Sequence, residues 1–113
     1  MKYSLFIGRW QPWHEGHRWL IDQRLNEGLN VCIAIRDVDK CDSNPFSPTE
    51  IKSNLERELH DLITLKKVKV IIIPDIESIN YGRGVGYDII EHFPPEKVKK
   101  ISATEIRKKI FKK

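Results

Sequence analysis

Apolar and polar residues run along this chain in blocks whose period switches between that of a strand and that of a helix. Residues 2–7 are short, apolar and rich in β-branched and aromatic members, which predicts a strand that Gly8 ends. From Gly16 onward, Leu20, Ile21 and Leu25 recur at helical spacing, and Gly28 is placed to stop that helix. Residues 30–36 predict a buried strand, followed by a polar loop over 37–46. Ser47-Pro48-Thr49-Glu50 is a capping box with proline at the first helical position. Ile51, Leu55, Leu59 and Leu62 then mark one face of a helix. Residues 67–73 predict a third strand, stopped by Pro74. A loop with Gly82, Gly84 and Gly86 spans 74–86, and 87–93 predicts a short helix ended by Pro94-Pro95. Residues 98–101 predict a short fourth strand, and Ser102-Ala103-Thr104-Glu105 a second capping box opening a last helix with Ile106 and Ile110 inside.

Strands joined by helices imply a parallel sheet. The expected fold is α/β: a compact Rossmann-like parallel sheet of about four strands with helices on both faces, in a single domain over 1–113. Ligands bind such folds outside the carboxyl ends of the strands. The informative segments are therefore 8–17, 36–46, 74–86 and the helix start at 102.

Composition narrows the picture. The chain has 113 residues, 40% hydrophobic and 32% charged, as expected of one folded domain. No apolar run approaches the roughly 20 residues of a membrane span. The glycine and arginine after residue 7 do not fit a signal peptide. Cys32 and Cys41 make no disulfide framework and read as reduced thiols of a cytoplasmic protein. The net charge of +4 is local, with Lys97, Lys99, Lys100, Arg107, Lys108, Lys109, Lys112 and Lys113 crowding the final stretch. Such a patch suits a solvated tail or any anionic ligand, nucleotide phosphates included.

Two clusters carry candidate chemistry. The first is Gly8-Arg9-Trp10-Gln11-Pro12-Trp13-His14-Glu15-Gly16-His17. Its two histidines, three residues apart at a helix start, share one face. Gly16 between them leaves room for a nucleotide to approach the backbone, and the helix N-terminus favours phosphate. Gly8 lets the chain leave the strand sharply beside a ligand. A zinc site would space the histidines four apart and add a third ligand, which is lacking. The pair also fits plain surface histidines, and Trp10, Trp13 and Trp19 fit a core in which at least one of them belongs. The second cluster is Ile101-Ser102-Ala103-Thr104-Glu105-Ile106-Arg107. It is an ordinary capping box that also offers hydroxyl donors and a bidentate guanidinium to phosphate.

Taken together, His14-x-Gly16-His17 after the first strand and Ile101-Ser102-x-Thr104-x-x-Arg107 near the end resemble the HxGH nucleotidyltransferase superfamily. The run GRWQPWHEGH looks especially like that of nicotinamide-mononucleotide adenylyltransferases. The resemblance implies in-line attack by an acceptor oxygen on the α-phosphorus of a nucleoside triphosphate, with pyrophosphate leaving. By analogy His14 and His17 donate to phosphate oxygens, while Ser102, Thr104 and Arg107 hold the leaving pyrophosphate. Gly8, Arg9, Trp10, Gly16, Ile101 and Ala103 would bind the nucleotide. Arg36, Lys40 and Arg83 would face the acceptor. Mg²⁺ would ride on the triphosphate, with no direct protein ligand. Relatives usually carry arginine where this chain has Ile51, so Lys52 or Arg57 would substitute, or the acceptor differs. A later glycine-ended strand is replaced by the loop 80–88.

The small size favours a cytidylyltransferase acting on a small phosphate- or phosphonate-bearing acceptor. The alternatives are an ATP-using adenylyltransferase and a nucleotide-binding module without catalysis. A polynucleotide partner is disfavoured for want of a recognition helix or an aromatic-basic strand. Relatives often dimerise, so a homodimer is an open expectation.

Overall fold

Parallel neighbours cannot be joined by a tight turn, so each step across the sheet needs a crossover, and the helical blocks supply it. The computed structural model describes residues 1–84, 86–100 and 106–107. In chain order the elements are β1 (Tyr3–Gly8), α1 (Glu15–Leu25), β2 (Asn30–Asp37), α2 (Pro48–Glu58), α3 (His60–Thr64), β3 (Val68–Pro74) and α4 (Glu96–Lys99). The strands form one parallel three-stranded sheet in the order β1-β2-β3.

The central strand has the most apolar sequence. Val31, Cys32, Ile33, Ala34 and Ile35 of β2 are all buried, as suits the central strand of a parallel sheet. The register aligns Phe6, Ile33 and Val70 across one face. That face forms the core: Phe6, Val31, Ile33, Ile35 and Val68 cluster with Ile21 of α1 and with Ile51 and Leu55 of α2. Each large apolar side chain buried there contributes about 1.5–3 kcal/mol. Both crossovers step in the same direction, so their common handedness puts both helices on the same side. The other face carries the rows Leu5–Cys32–Lys69 and Ile7–Ala34–Ile71. Leu5 remains 57% exposed there. The two crossover helices thus share one face of the sheet.

Local chemistry sets the element ends. At α2, the Ser47 hydroxyl accepts from the Glu50 amide at 3.2 Å and the Glu50 carboxylate accepts from the Ser47 amide at 3.1 Å, the predicted box. After α1 the chain turns left-handed at Gly28 (φ 80°). The Gly28 amide donates to the Leu25 carbonyl at 2.9 Å and the Leu29 amide to the Arg24 carbonyl at 3.1 Å, a Schellman closure. The same closure follows α3, with Lys66 (φ 60°) in the left-handed position. The predicted helix through Leu62 is broken at Leu59, whose backbone leaves the helical region between α2 and α3.

Two expectations fail in the second half of the chain. Residues 87–93 are not helical. The segment is bracketed by Gly86 (φ 80°) and Pro94-Pro95. Ile89 and Phe93 stay 67% and 77% exposed, so no buried face supports a helix too short to hold alone. Val98 and Lys99, assigned to a fourth strand, lie in α4. Glu96 in its first turn and Lys97 and Lys99 in its last suit the helix dipole. Residue 101 and the capping box at 102–105 lie outside the described residues, while Ile106 and Arg107 are helical.

The two left-handed residues give opposite expectations. Gly28→Ala should destabilise by about 1 kcal/mol, since a Cβ there meets only backbone strain. Lys66→Gly should stabilise by about 0.5–1 kcal/mol by removing that strain. Urea midpoints at unchanged slope measure both.

Candidate active site

The turn from β1 into α1 places both histidines on the first helical turn, where each does the work of a cap. His14 is the N-cap, and its Nδ1 accepts from the Gly16 amide at 3.0 Å. His17 answers in reverse, its Nδ1 accepting from the His14 amide at 3.2 Å. The rings stack with centroids 3.7 Å apart and planes within 19°. An Nδ1 that accepts from an amide carries no proton, so each neutral ring carries its proton on Nε2. Among the described residues nothing accepts from either Nε2–H, leaving both as donors for a ligand. The Gly16 amide is held by His14.

Burial reinforces neutrality. His17 is pushed down to about 3, first by desolvation and then by the neighbouring His14. His14 is lowered by desolvation. Trp10 meets His17 edge-on with centroids 4.8 Å apart, and Trp13 packs obliquely against it at 5.4 Å.

Trp10 is the tryptophan that belongs to the core: it is 6% exposed, and its Nε1 donates to the Ala34 carbonyl at 3.1 Å. Its backbone is left-handed (φ 56°), a strain held by this packing. The indole fills the space beside Gly8, where an added Cβ would sit 2.9 Å from Cε2. Gly8 is thus required by Trp10 as well as by the sharp exit from the strand.

The loop is tied to the segment before α2 at two points. Arg9 Nη1 donates to Asn44 Oδ1 at 3.0 Å. Gln11, 2% exposed, bonds both ways with the Phe46 backbone, donating from Nε2 at 2.7 Å and accepting at Oε1 at 3.0 Å. Sequence reasoning assigned Gln11 no role. Its one signal was a long amide set between Trp10 and Pro12 in an otherwise aromatic stretch. Arg107 also arrives here from the far end of the chain, donating to the Gln11 carbonyl. Ser102, Thr104, Ile101 and Ala103 lie outside the described residues.

The residues assigned to the acceptor are dispersed. Arg36, near the end of β2, holds Asp75 through Nε at 2.9 Å and Nη2 at 2.8 Å, and donates to the Ile76 carbonyl at 3.1 Å. Lys40 pairs with Glu50 at 3.3 Å. Arg83 lies in the exposed glycine-rich loop. Ile51 is buried in the core at 2% exposure. An open cavity of about 790 Å³ lies along α2, walled by Pro12, Phe46 and Ile51 and edged by Asn54, Glu56 and Arg57. Among the described residues, no group of three or more histidine, cysteine or acidic side chains could hold a metal ion. No helix among them is long and apolar enough to cross a membrane.

The caps make stability acid-sensitive. The unfolded chain binds a proton at His17 near pH 6.5, while the folded chain resists until about pH 3. Stability should fall as pH drops below 6.5, by at most about 1.4 kcal/mol per pH unit from His17. No such loss is expected above pH 6.5. Denaturation at stepped pH should show this slope, and His17→Asn should flatten it.

No family model and no solved structure matches the chain. Among curated proteins, it is similar to the nicotinamide-nucleotide adenylyltransferase of Methanococcus aeolicus, 39% identical over 80 residues. That stretch is 66% of this chain and 43% of the relative, so the chain spans less than half of that protein's length. The similarity points to the nucleotidyltransferase superfamily.

Proposed function

We propose that this chain carries the nucleotide-transfer site of an adenylyltransferase, moving AMP from ATP to a phosphate-bearing acceptor of the nicotinamide-mononucleotide type. The observation that carries this reading is the stacked, neutral pair His14–His17 at the start of α1, with both Nδ1 atoms engaged by the backbone and both Nε2–H groups left to donate. Such donors, fixed before substrate arrives, stabilise charge on a transferring phosphoryl group without reorganising. The acceptor phosphate oxygen attacks the α-phosphorus in line as the bond to pyrophosphate breaks. His14 and His17 donate to the oxygens on which charge grows. The helix N-terminus adds a favourable dipole.

The relative's name supports ATP over CTP. The case for CTP rested on a short chain, and a chain spanning 43% of its relative gives length little weight. Roles for Ser102 and Thr104 on the leaving pyrophosphate rest on the resemblance alone. Mg²⁺ would neutralise triphosphate charge. The triphosphate would carry it.

Titration with ATP and with CTP, each with Mg²⁺, should raise thermal stability for ATP. At about 100 times the dissociation constant the gain is roughly 2.7 kcal/mol. A shift with CTP alone would restore the cytidylyl reading, and a shift with neither would remove the proposal. His17→Asn keeps an acceptor for the His14 amide but loses the Nε2–H donor. Turnover should fall roughly 10²-fold or more at near-unchanged stability. An unchanged rate would strip His17 of its role.

A further inference from the structure

Gln11 is where three separated stretches of chain meet. Its amide bonds both ways with the Phe46 backbone, its carbonyl accepts from Arg107, and it sits three residues before His14. Gln11 itself is only 2% exposed. A primary amide presents a donor and an acceptor side by side, matching the N–H and C=O of one residue. A carboxylate would set an acceptor oxygen against the Phe46 carbonyl, and an alanine would leave both backbone groups without partners.

What Gln11 holds is a wall. Phe46, with Pro12 beside Gln11, lines the open cavity along α2. The neighbouring Arg9–Asn44 bond at 3.0 Å ties the same two segments on the other side of Trp10. The Phe46 wall and the loop that carries the imidazoles are therefore joined by this amide and by the Arg9–Asn44 pair. Geometry of this kind matters to transfer, because a misplacement of about 1 Å between reactants can cost roughly 10² in rate.

We infer that Gln11 is a positioning residue that fixes the Phe46 wall of the cavity against the His14–His17 pair, and that this cavity seats the acceptor. The inference rests on the adenylyl-transfer reading above. Gln11 touches neither substrate. It acts through the backbone of Phe46.

The test compares wild type with Gln11→Ala and Gln11→Glu, using ATP and nicotinamide mononucleotide well below each variant's melting temperature. Gln11→Ala should raise KM for nicotinamide mononucleotide about tenfold or more, with ATP affinity within about twofold of wild type. Gln11→Glu should share the defect at pH 8 and recover in part at pH 6. Burial raises a carboxyl pKa, and the protonated acid regains the donor to the Phe46 carbonyl. Gln11→Ala should show no recovery. A lower melting temperature with an unchanged KM ratio, or equal losses for both substrates, would reduce Gln11 to a structural residue and overturn the inference. If wild type itself shows no turnover, the transfer reading fails and the clamp is judged by NMR. Faster exchange of the Phe46 amide in Gln11→Ala with shifted His14 and His17 ring signals would support it. Unmoved ring signals would overturn it.

Discussion

The first turn of α1 is closed by the same two side chains that offer its chemistry, and most of the site follows from that. A capping box is usually a hydroxyl and a carboxylate, which can accept at any ordinary pH. Here the acceptors are imidazole nitrogens, which accept only when unprotonated. Neutral rings can stack at 3.7 Å, where two cations would repel. Their tautomer is set as well, since an occupied Nδ1 leaves the proton on Nε2. The buried indole of Trp10 against His17 adds the desolvation that keeps the ring neutral. A cap, a tautomer and a pair of donors are thus one arrangement.

The arrangement stands where the sheet delivers it. Parallel strands end on the same side, so the loop after β1 and Arg36 near the end of β2 share the carboxyl end of the sheet with Asp75 after β3. Gly8 gives up its side chain so that Trp10 can fold back over the strand end and reach the Ala34 carbonyl. From there Arg9 and Gln11 reach outward to Asn44 and Phe46, fastening the histidine loop to the entry of α2. The strained backbone of Trp10 is held between these ties and the core.

Where local signals were strong, the elements were legible. The run of buried residues in β2, the Ser47–Glu50 box and the stop at Gly28 are each decided within a few residues. Where they were weak, reading failed. The apolar residues at 87–93 suit a helix only if some surface covers them, and Ile89 and Phe93 stay largely exposed. The lysines at 97–100 suited a strand less well than the helix that Pro95 and Glu96 open. The histidine cap is not legible in the sequence, because histidine is not a usual capping residue.

By itself, then, the sequence determined the first three strands and their crossovers, the residues of the central strand and the shared face of His14 and His17. These rest on periodicity and on contacts no more than one helical turn apart. Only the tertiary structure decided that both crossover helices share one face, that Trp10 belongs to the core, and that Gln11 joins Phe46 and Arg107. Those outcomes depend on groups 24 to 96 residues apart meeting in space. A buried amide finds its partners only after the core has brought the two loops together, and no local pattern announces which backbone it will meet.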